Sequence, residues 1–516
     1  MLQLLPLIVL LALTPGEKDA SLGPCATPQI LPSLNAPRSF PAAPLGSRDK
    51  ENRNPFGVPN ELTNENFVIR WGDDWDLNMD GIQDLSVALG DAWQTQIVEM
   101  DHPAPPSTDT TLMNVYIGDS GNGAPSAFGA GGYFTTDDDG FPMLVISQDS
   151  IWVPVSTRVV ALHEFYHSVQ WGLGTYSYDD DSPGAWYWEA TASWIPSVTD
   201  PQSAENGSFL FGFGLLPHLE LDSFDYPDTG ALTEYHQYGA FIFPTYLSEW
   251  LGSPSAIRDS WVSPAGGTSD PIEALRGRLA EENIDFDDAF VDFVAANVFW
   301  DYVHGPAWEQ FMGFGQEWYP NESPVTAWIS TNGTDGFESA PNSIKPRRYG
   351  ANVLRLDYLN PGEWVLEARF DETGSQGTSA SWGVTLVRNA GDGVTYQRLE
   401  QSELSEGVTF ETGGELAVAV AAWSDLRNPG ERFDWEWSIR PLVGGDDDDD
   451  VADDDDAADD DDDATTNDGP VDNTGGIDSN FNGSGCACDA GSGAPASTSW
   501  LLLVLYGMFA PWSRRR

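Results

Sequence analysis

The sequence predicts an α/β domain followed by an all-β one, and three observations carry that reading. Short apolar runs suited to strands, at 67–71, 112–117 and 143–147, alternate with amphipathic helical stretches. After about residue 345 the apolar period changes from helix-like to two. The helical stretch after the third strand carries His163-Glu164-Phe165-Tyr166-His167, in a chain with only six histidines.

The elements follow in order. Residues 2–13 are apolar and end in Thr14, Pro15 and Gly16, a length that suits a signal-peptide core better than a membrane span. Residues 1–20 are therefore expected to be a signal peptide and the protein to be exported. Residues 21–66 are rich in Pro, Ala, Asn and Arg without periodicity and read as a linker or short pro-segment. The α/β domain is assigned to 67–342. Its first strand leads through an Asp-rich loop into a helix with Leu85, Leu89, Ala92, Trp93 and Ile97 on one face. The histidine helix begins near Ser156, read as its N-cap. Helices are predicted at 187–195, 238–251, 272–280 and 286–300, with Asp270 and Pro271 starting the third. This helical half would form the lower lobe of a cleft.

Strands at 353–357, 364–370, 382–387, 416–423 and 433–439, spaced by Gly and Asn turns, predict a β-sandwich over 343–442 as an accessory domain. Residues 443–498 are Asp, Ala, Gly, Thr and Ser, too polar to fold, and read as a linker. The segment 499–516 is an apolar run ending in Arg514, Arg515 and Arg516, a stop-transfer pattern read as a C-terminal anchor.

Charge narrows the function classes. The net charge is −58, and fourteen aspartates between Asp446 and Asp463 account for part of it, leaving −44 on the remainder. Such a surface repels nucleic acid and anionic lipid and attracts cations. The only cysteines are Cys25, Cys486 and Cys488. None falls in 67–342, which excludes a disulfide framework and any thiolate zinc site in that domain. Cys25 follows Leu-Gly-Pro, and proline before the cysteine argues against a lipoprotein cleavage site. It is read as a spectator, the alternative being an inhibitory thiolate over the metal.

Two histidines four apart on a helix project from one face and can share a Zn²⁺, while the glutamate between them reaches a metal-bound water. A zinc with three protein ligands needs one more. Trp186-Tyr187-Trp188-Glu189-Ala190-Thr191-Ala192-Ser193-Trp194 offers Glu189, twenty-two residues after His167, followed by small residues that let two helices approach. These two motifs, HEFYH and W-x-x-E-A-x-A-x-W, resemble gluzincin metallopeptidases. The resemblance implies His163, His167 and Glu189 as zinc ligands, Glu164 as general base, and a two-lobed zincin-like domain that hydrolyses peptide bonds. Ser193 departs from thermolysin-like members, which carry an acidic residue there, so His163 must be oriented by something else. The oxyanion donor is sought in Tyr238 or His236; the plain alternative is that both only pack at a helix start.

Asp76-Leu77-Asn78-Met79-Asp80-Gly81-Ile82-Gln83-Asp84 matches the first nine positions of a calcium loop, with Gly81 at the sharp turn. Asp76, Asn78, Asp80 and Asp84 are the candidate Ca²⁺ ligands; position twelve would be Val87, and the alternative is an acidic turn capping the next helix. Asp137, Asp138 and Asp139 before Gly140 read as a hairpin turn. Gly485-Cys486-Ala487-Cys488, a small-residue spacer, the apolar run and the arginines resemble the MYXO-CTERM sorting signal. The layout as a whole is similar to a group of metalloproteases among myxobacterial surface proteins. The function expected is a surface-tethered zinc endopeptidase acting on proteins or peptides, touching the membrane through its C-terminal segment. A catalytically silent, calcium-dependent surface adhesin on the same scaffold is the alternative.

Overall fold

The structure, a computed structural model, describes Cys25, Thr27 and residues 50–442, apart from 75–77, 129–130, 180–181, 226–230, 253, 319–327 and 357–358. The expected signal peptide, acidic linker and C-terminal anchor lie outside the described residues. Among the described residues no helix is long and apolar enough to cross a membrane. The protein mixes α and β structure, with three sheets among the described residues.

The first sheet contains β1 (Asn60–Thr63), β2 (Phe67–Trp71), β3 (Met113–Ile117), β4 (Gly132–Thr136) and β5 (Pro142–Ile146) in the order β1-β2-β3-β5-β4. β2, β3 and β5 run parallel, and β1 and β4 are antiparallel edges. The three central strands are buried along their whole length. That explains why they read as mostly apolar runs rather than alternating ones, with buried Arg70 donating to Asn114 across β2 and β3. The sequence reading missed both edges: β1 falls in the stretch read as a linker, and β4 in a glycine-rich one. The β4–β5 turn is the expected hairpin. Asp137 Oδ1 accepts from the amides of Asp139 and Phe141, and Gly140 takes a φ of +85°.

α1 (Met79–Trp93) buries Ile82, Leu85, Ala88, Leu89 and Ala92 against this sheet. α2 (Pro154–Leu173) starts two residues before the expected Ser156. Val153 occupies the N-cap with no side-chain hydrogen bond, and Pro154 supplies the first helical φ. Gly174, at φ +60°, ends the helix. α3 (Ala185–Thr199) buries every residue from Ala185 to Pro196.

Further helices follow: α4 (Leu210–Gly214), α5 (His236–Gly239), α6 (Ile242–Leu251), α7 (Ser255–Val262), α8 (Pro271–Glu281), α9 (Phe286–Asn297) and α10 (Gly305–Trp318). The single helix expected over 238–251 is two, α5 and α6. Asp270 caps α8 as expected, accepting from the amide of Ile272 at 2.9 Å.

The C-terminal strands form two antiparallel-rich sheets. β6 (Trp328–Ser330), β8 (Gly350–Arg355), β10 (Ser381–Asn389), β11 (Val394–Leu399) and β13 (Glu415–Trp423) order as β11-β10-β13-β8-β6. β7 (Glu338–Ser339), β9 (Glu363–Phe370), β12 (Val408–Glu411) and β14 (Trp435–Pro441) order as β12-β9-β14-β7. The period of two is plainest in β13. Leu416, Val418, Val420 and Ala422 face the core between the two sheets, with Leu366, Trp382, Trp435 and Trp437. Ala417, Ala419 and Ala421 face the other way and join the core of the helical body with Phe290 and Val291 of α9. The five-stranded sheet is therefore covered on both faces. Its small residues let α9 come close: a Cβ on Gly383 of β10 would stand 2.3 Å from Val291 Cγ2.

Candidate metal centre

The spacing of α2 puts His163 and His167 on one face, and the fold turns that face inward. Their Nε2 atoms lie 3.1 Å apart, with ring planes near perpendicular. α3 packs beside α2 and delivers Glu189, whose carboxylate lies 3.1 Å from His163 Nε2 and 3.5 Å from His167 Nε2. His167 and Glu189 are fully buried, and His163 is 6 % exposed. Glu189 Oε1 accepts from the Tyr178 hydroxyl at 2.5 Å. Its Oε2, although close to His163, makes no aligned hydrogen bond.

The other ring nitrogen of His167 is held from behind. Its Nδ1 is 2.7 Å from Gln170 Oε1. The Gln170 amide nitrogen in turn donates to the Trp188 carbonyl at 3.0 Å and Thr191 Oγ1 at 2.9 Å. Gln170 thus fixes the ring and ties α2 to α3. A metal-binding imidazole is held this way when its free nitrogen must point at the cation. Ser193 Oγ is buried with no hydrogen-bond partner among the described residues.

Glu164 points to the same space, buried, but its Oε2 accepts from the Thr27 hydroxyl at 3.0 Å and the Cys25 thiol at 3.4 Å. Cys25 Sγ is 3.6 Å from His167 Nε2. Cys25, His163, Glu164 and His167 form a buried group whose donor atoms could hold a metal ion. This revises the expectation that thiols stay away from the site. That elimination counted only cysteines inside 67–342, whereas Cys25 is brought in across 139 residues of sequence from Glu164.

The electrostatics fit a site that wants positive charge. Burial pushes the Glu189 carboxyl up, but the His167 and His163 rings outweigh it and hold it at about 2. Burial pulls His167 down, and Glu189, Glu164 and Gln170 more than compensate, so its pKa is raised. Burial raises the Glu164 carboxyl against the pull of both imidazoles. Burial, with the charges of Glu164 and Glu189, drives the Cys25 thiol well above its usual range. A divalent cation would take the place of the shared protons, since ligands bind it deprotonated.

The remaining sequence candidates separate. Tyr238 is buried beside the pair, its ring centroid 6.3 Å from that of His163, and its hydroxyl donates to the Cys25 carbonyl at 3.4 Å. His236 turns instead to Phe213, at 5.1 Å between ring centroids, and burial takes its pKa down to about 3.

In the expected calcium loop, Asp76 lies outside the described residues. Asn78 is the N-cap of α1: its Oδ1 accepts from the Gly81 amide and its Nδ2 donates to the Ile151 carbonyl. Asp80, Gly81 and Asp84 are helical, so Gly81 is at no sharp turn. Glycine is needed there because a Cβ would stand 2.1 Å from Ile151 O.

Sequence reasoning missed Gln170, Tyr178 and Thr191. Gln170 could have been found, since it lies one turn past His167 on the same helix.

Residues 40–417 match the model of a family of unknown function, DUF6055. The match covers well over half of the chain, which belongs to that family. No curated protein matches.

Proposed function

We propose that this DUF6055 member is a zinc-dependent endopeptidase, exported and held at the cell surface, with a two-lobed zincin-like catalytic domain. In that arrangement the mixed sheet with α1 and α2 makes one lobe, and α3 with the helices after it makes the other. The observation that carries the reading is the convergence of His163, His167 and Glu189 from two helices onto one buried point. Donors at roughly 2.0–2.1 Å from a tetrahedral zinc stand about 3.3 Å from one another. Here the two Nε2 atoms are 3.1 Å apart, Glu189 Oε2 is 3.1 Å from His163 Nε2, and Oε1 of the same carboxylate is 3.5 Å from His167 Nε2. The unaligned Glu189 Oε2 fits as well, because an oxygen and a nitrogen sharing a cation both aim at it rather than at each other.

Held by those three side chains, zinc supplies polarisation of the scissile carbonyl and a water acidic enough to ionise near neutral pH. The chain's own residues do the rest. Glu164 accepts the proton of the attacking water and passes it to the leaving amine, and its raised carboxyl pKa suits a group that must hold a proton in mid-reaction. The Tyr238 hydroxyl donates a hydrogen bond to the substrate carbonyl oxygen as negative charge builds there. Gln170 keeps His167 in one tautomer and one orientation.

The test is Glu164→Gln. Casein cleavage should fall by about 10²–10⁴-fold, with zinc content unchanged at matched loading. Cleavage that survives the substitution at full rate removes Glu164 from the chemistry and the peptidase reading with it.

A further inference from the structure

We propose that Cys25 is the fourth ligand of this metal and that the Cys25–Thr27 segment is a built-in inhibitor lying where substrate binds. The inference rests on the peptidase reading above and concerns how that same site is regulated.

Geometry supports the ligand assignment first. A sulfur at roughly 2.3 Å and a nitrogen at roughly 2.0 Å from a tetrahedral zinc are about 3.5 Å apart. Cys25 Sγ lies 3.6 Å from His167 Nε2 and belongs, with His163, Glu164 and His167, to the buried group whose donor atoms could share one ion. Glu189 Oε2, fully buried and without an aligned hydrogen bond, independently calls for a cation at the same place. When the S–metal bond forms, the thiol proton passes to solvent. When water replaces the thiolate, a proton returns to sulfur.

The contacts of Cys25 and Thr27 support the substrate-mimic assignment. β4 is an edge strand, and Cys25 pairs with its Gly132 in the parallel sense. The amide of Phe134, farther along β4, donates to Thr27 Oγ1 at 2.8 Å. One bridge at Cys25 and one side-chain contact at Thr27 thus seat the segment against the open edge of β4. The carbonyl of Cys25 receives the Tyr238 hydroxyl, the same donor assigned above to a substrate carbonyl. Thr27 Oγ1 meanwhile donates to Glu164 Oε2 and ties up the general base. One short segment thus engages the metal corner, the base, the carbonyl donor and the strand edge together. A spectator cysteine would explain only its own burial.

A tethered occupant competes as if present at millimolar concentration, so the intact chain should be latent. The test uses the full chain, wild type, Cys25→Ser and Cys25→Ala, each loaded with zinc, with Cys486 and Cys488 retained in all three. X-ray absorption should give wild type a sulfur neighbour at about 2.3 Å, and both variants only lighter neighbours at about 2.0–2.1 Å. Zinc should remain at one per chain, and both variants should cleave casein at least about tenfold faster. Bound zinc with no sulfur neighbour in wild type overturns the ligand assignment and leaves the peptidase reading standing. Variants that lose the sulfur but cleave no faster than an active wild type overturn the latency. If none of the proteins binds zinc, or the zinc-loaded variants hydrolyse nothing, the peptidase reading itself falls. The absorption spectrum of wild type decides the ligand question even if a variant fails to fold.

Discussion

Gln170 Oε1 stands 2.7 Å from His167 Nδ1, and through its amide nitrogen the same side chain holds the backbone of α3 at Trp188. One residue therefore sets the imidazole's direction and the spacing of the two helices that carry the donors. Replacing it with alanine frees the ring and leaves Thr191 Oγ1 without one of its partners. Gln170→Ala should weaken zinc affinity by about 10–100-fold, measured by competition with a chromogenic chelator. An affinity equal to wild type would show that the ring is oriented without it.

Three histidines outside the centre make the fold acid-sensitive. Burial holds His102 and His218 at about 4 and His236 at about 3, against 6.5 in the unfolded chain. Between pH 6.5 and about 4 the unfolded chain binds protons that the folded one refuses, so stability rises with pH in that window and is lost as pH falls through it. Urea melts at pH 7.0, 6.0 and 5.0 should show this decline. His236→Phe, placed beside Phe213, should make it shallower by up to one proton's worth. A slope the same as wild type would mean that His236 does not refuse the proton.

The contact between β10 and α9 is set by the absence of a side chain. Gly383 has no room for a Cβ next to Val291. Gly383→Ala should cost about 1–3 kcal/mol in chemical denaturation, and adding Val291→Ala should recover part of it. Additive losses in the double variant would place the strain elsewhere.

Much of the site could be read from local patterns because its donors sit at fixed offsets within helices. His163, Glu164 and His167 share one helical turn, and Glu189 announces itself by the small residues after it. β13 was equally legible, since alternation along one strand needs no knowledge of its neighbours. What escaped reading depends on distant pairing. β4 hides in a glycine-rich stretch because its partners, β5 on one side and Cys25 on the other, supply the reason for a strand there. Cys25 itself carries no local signal at all. Asn78 fits two patterns at once: the acidic spacing of a calcium loop and that of a helix N-cap use the same residue types, and its contact with Ile151, which makes it the cap, is invisible in sequence.

The alanine face of β13 reaches further than packing. With Ala417, Ala419 and Ala421 pressed on α9, a fragment stopped near residue 342 would uncover Phe290 and Val291. Such a truncation should come out of cells as insoluble material. The strands after 345 therefore cannot be traded for another module without rebuilding the helical half that leans on them.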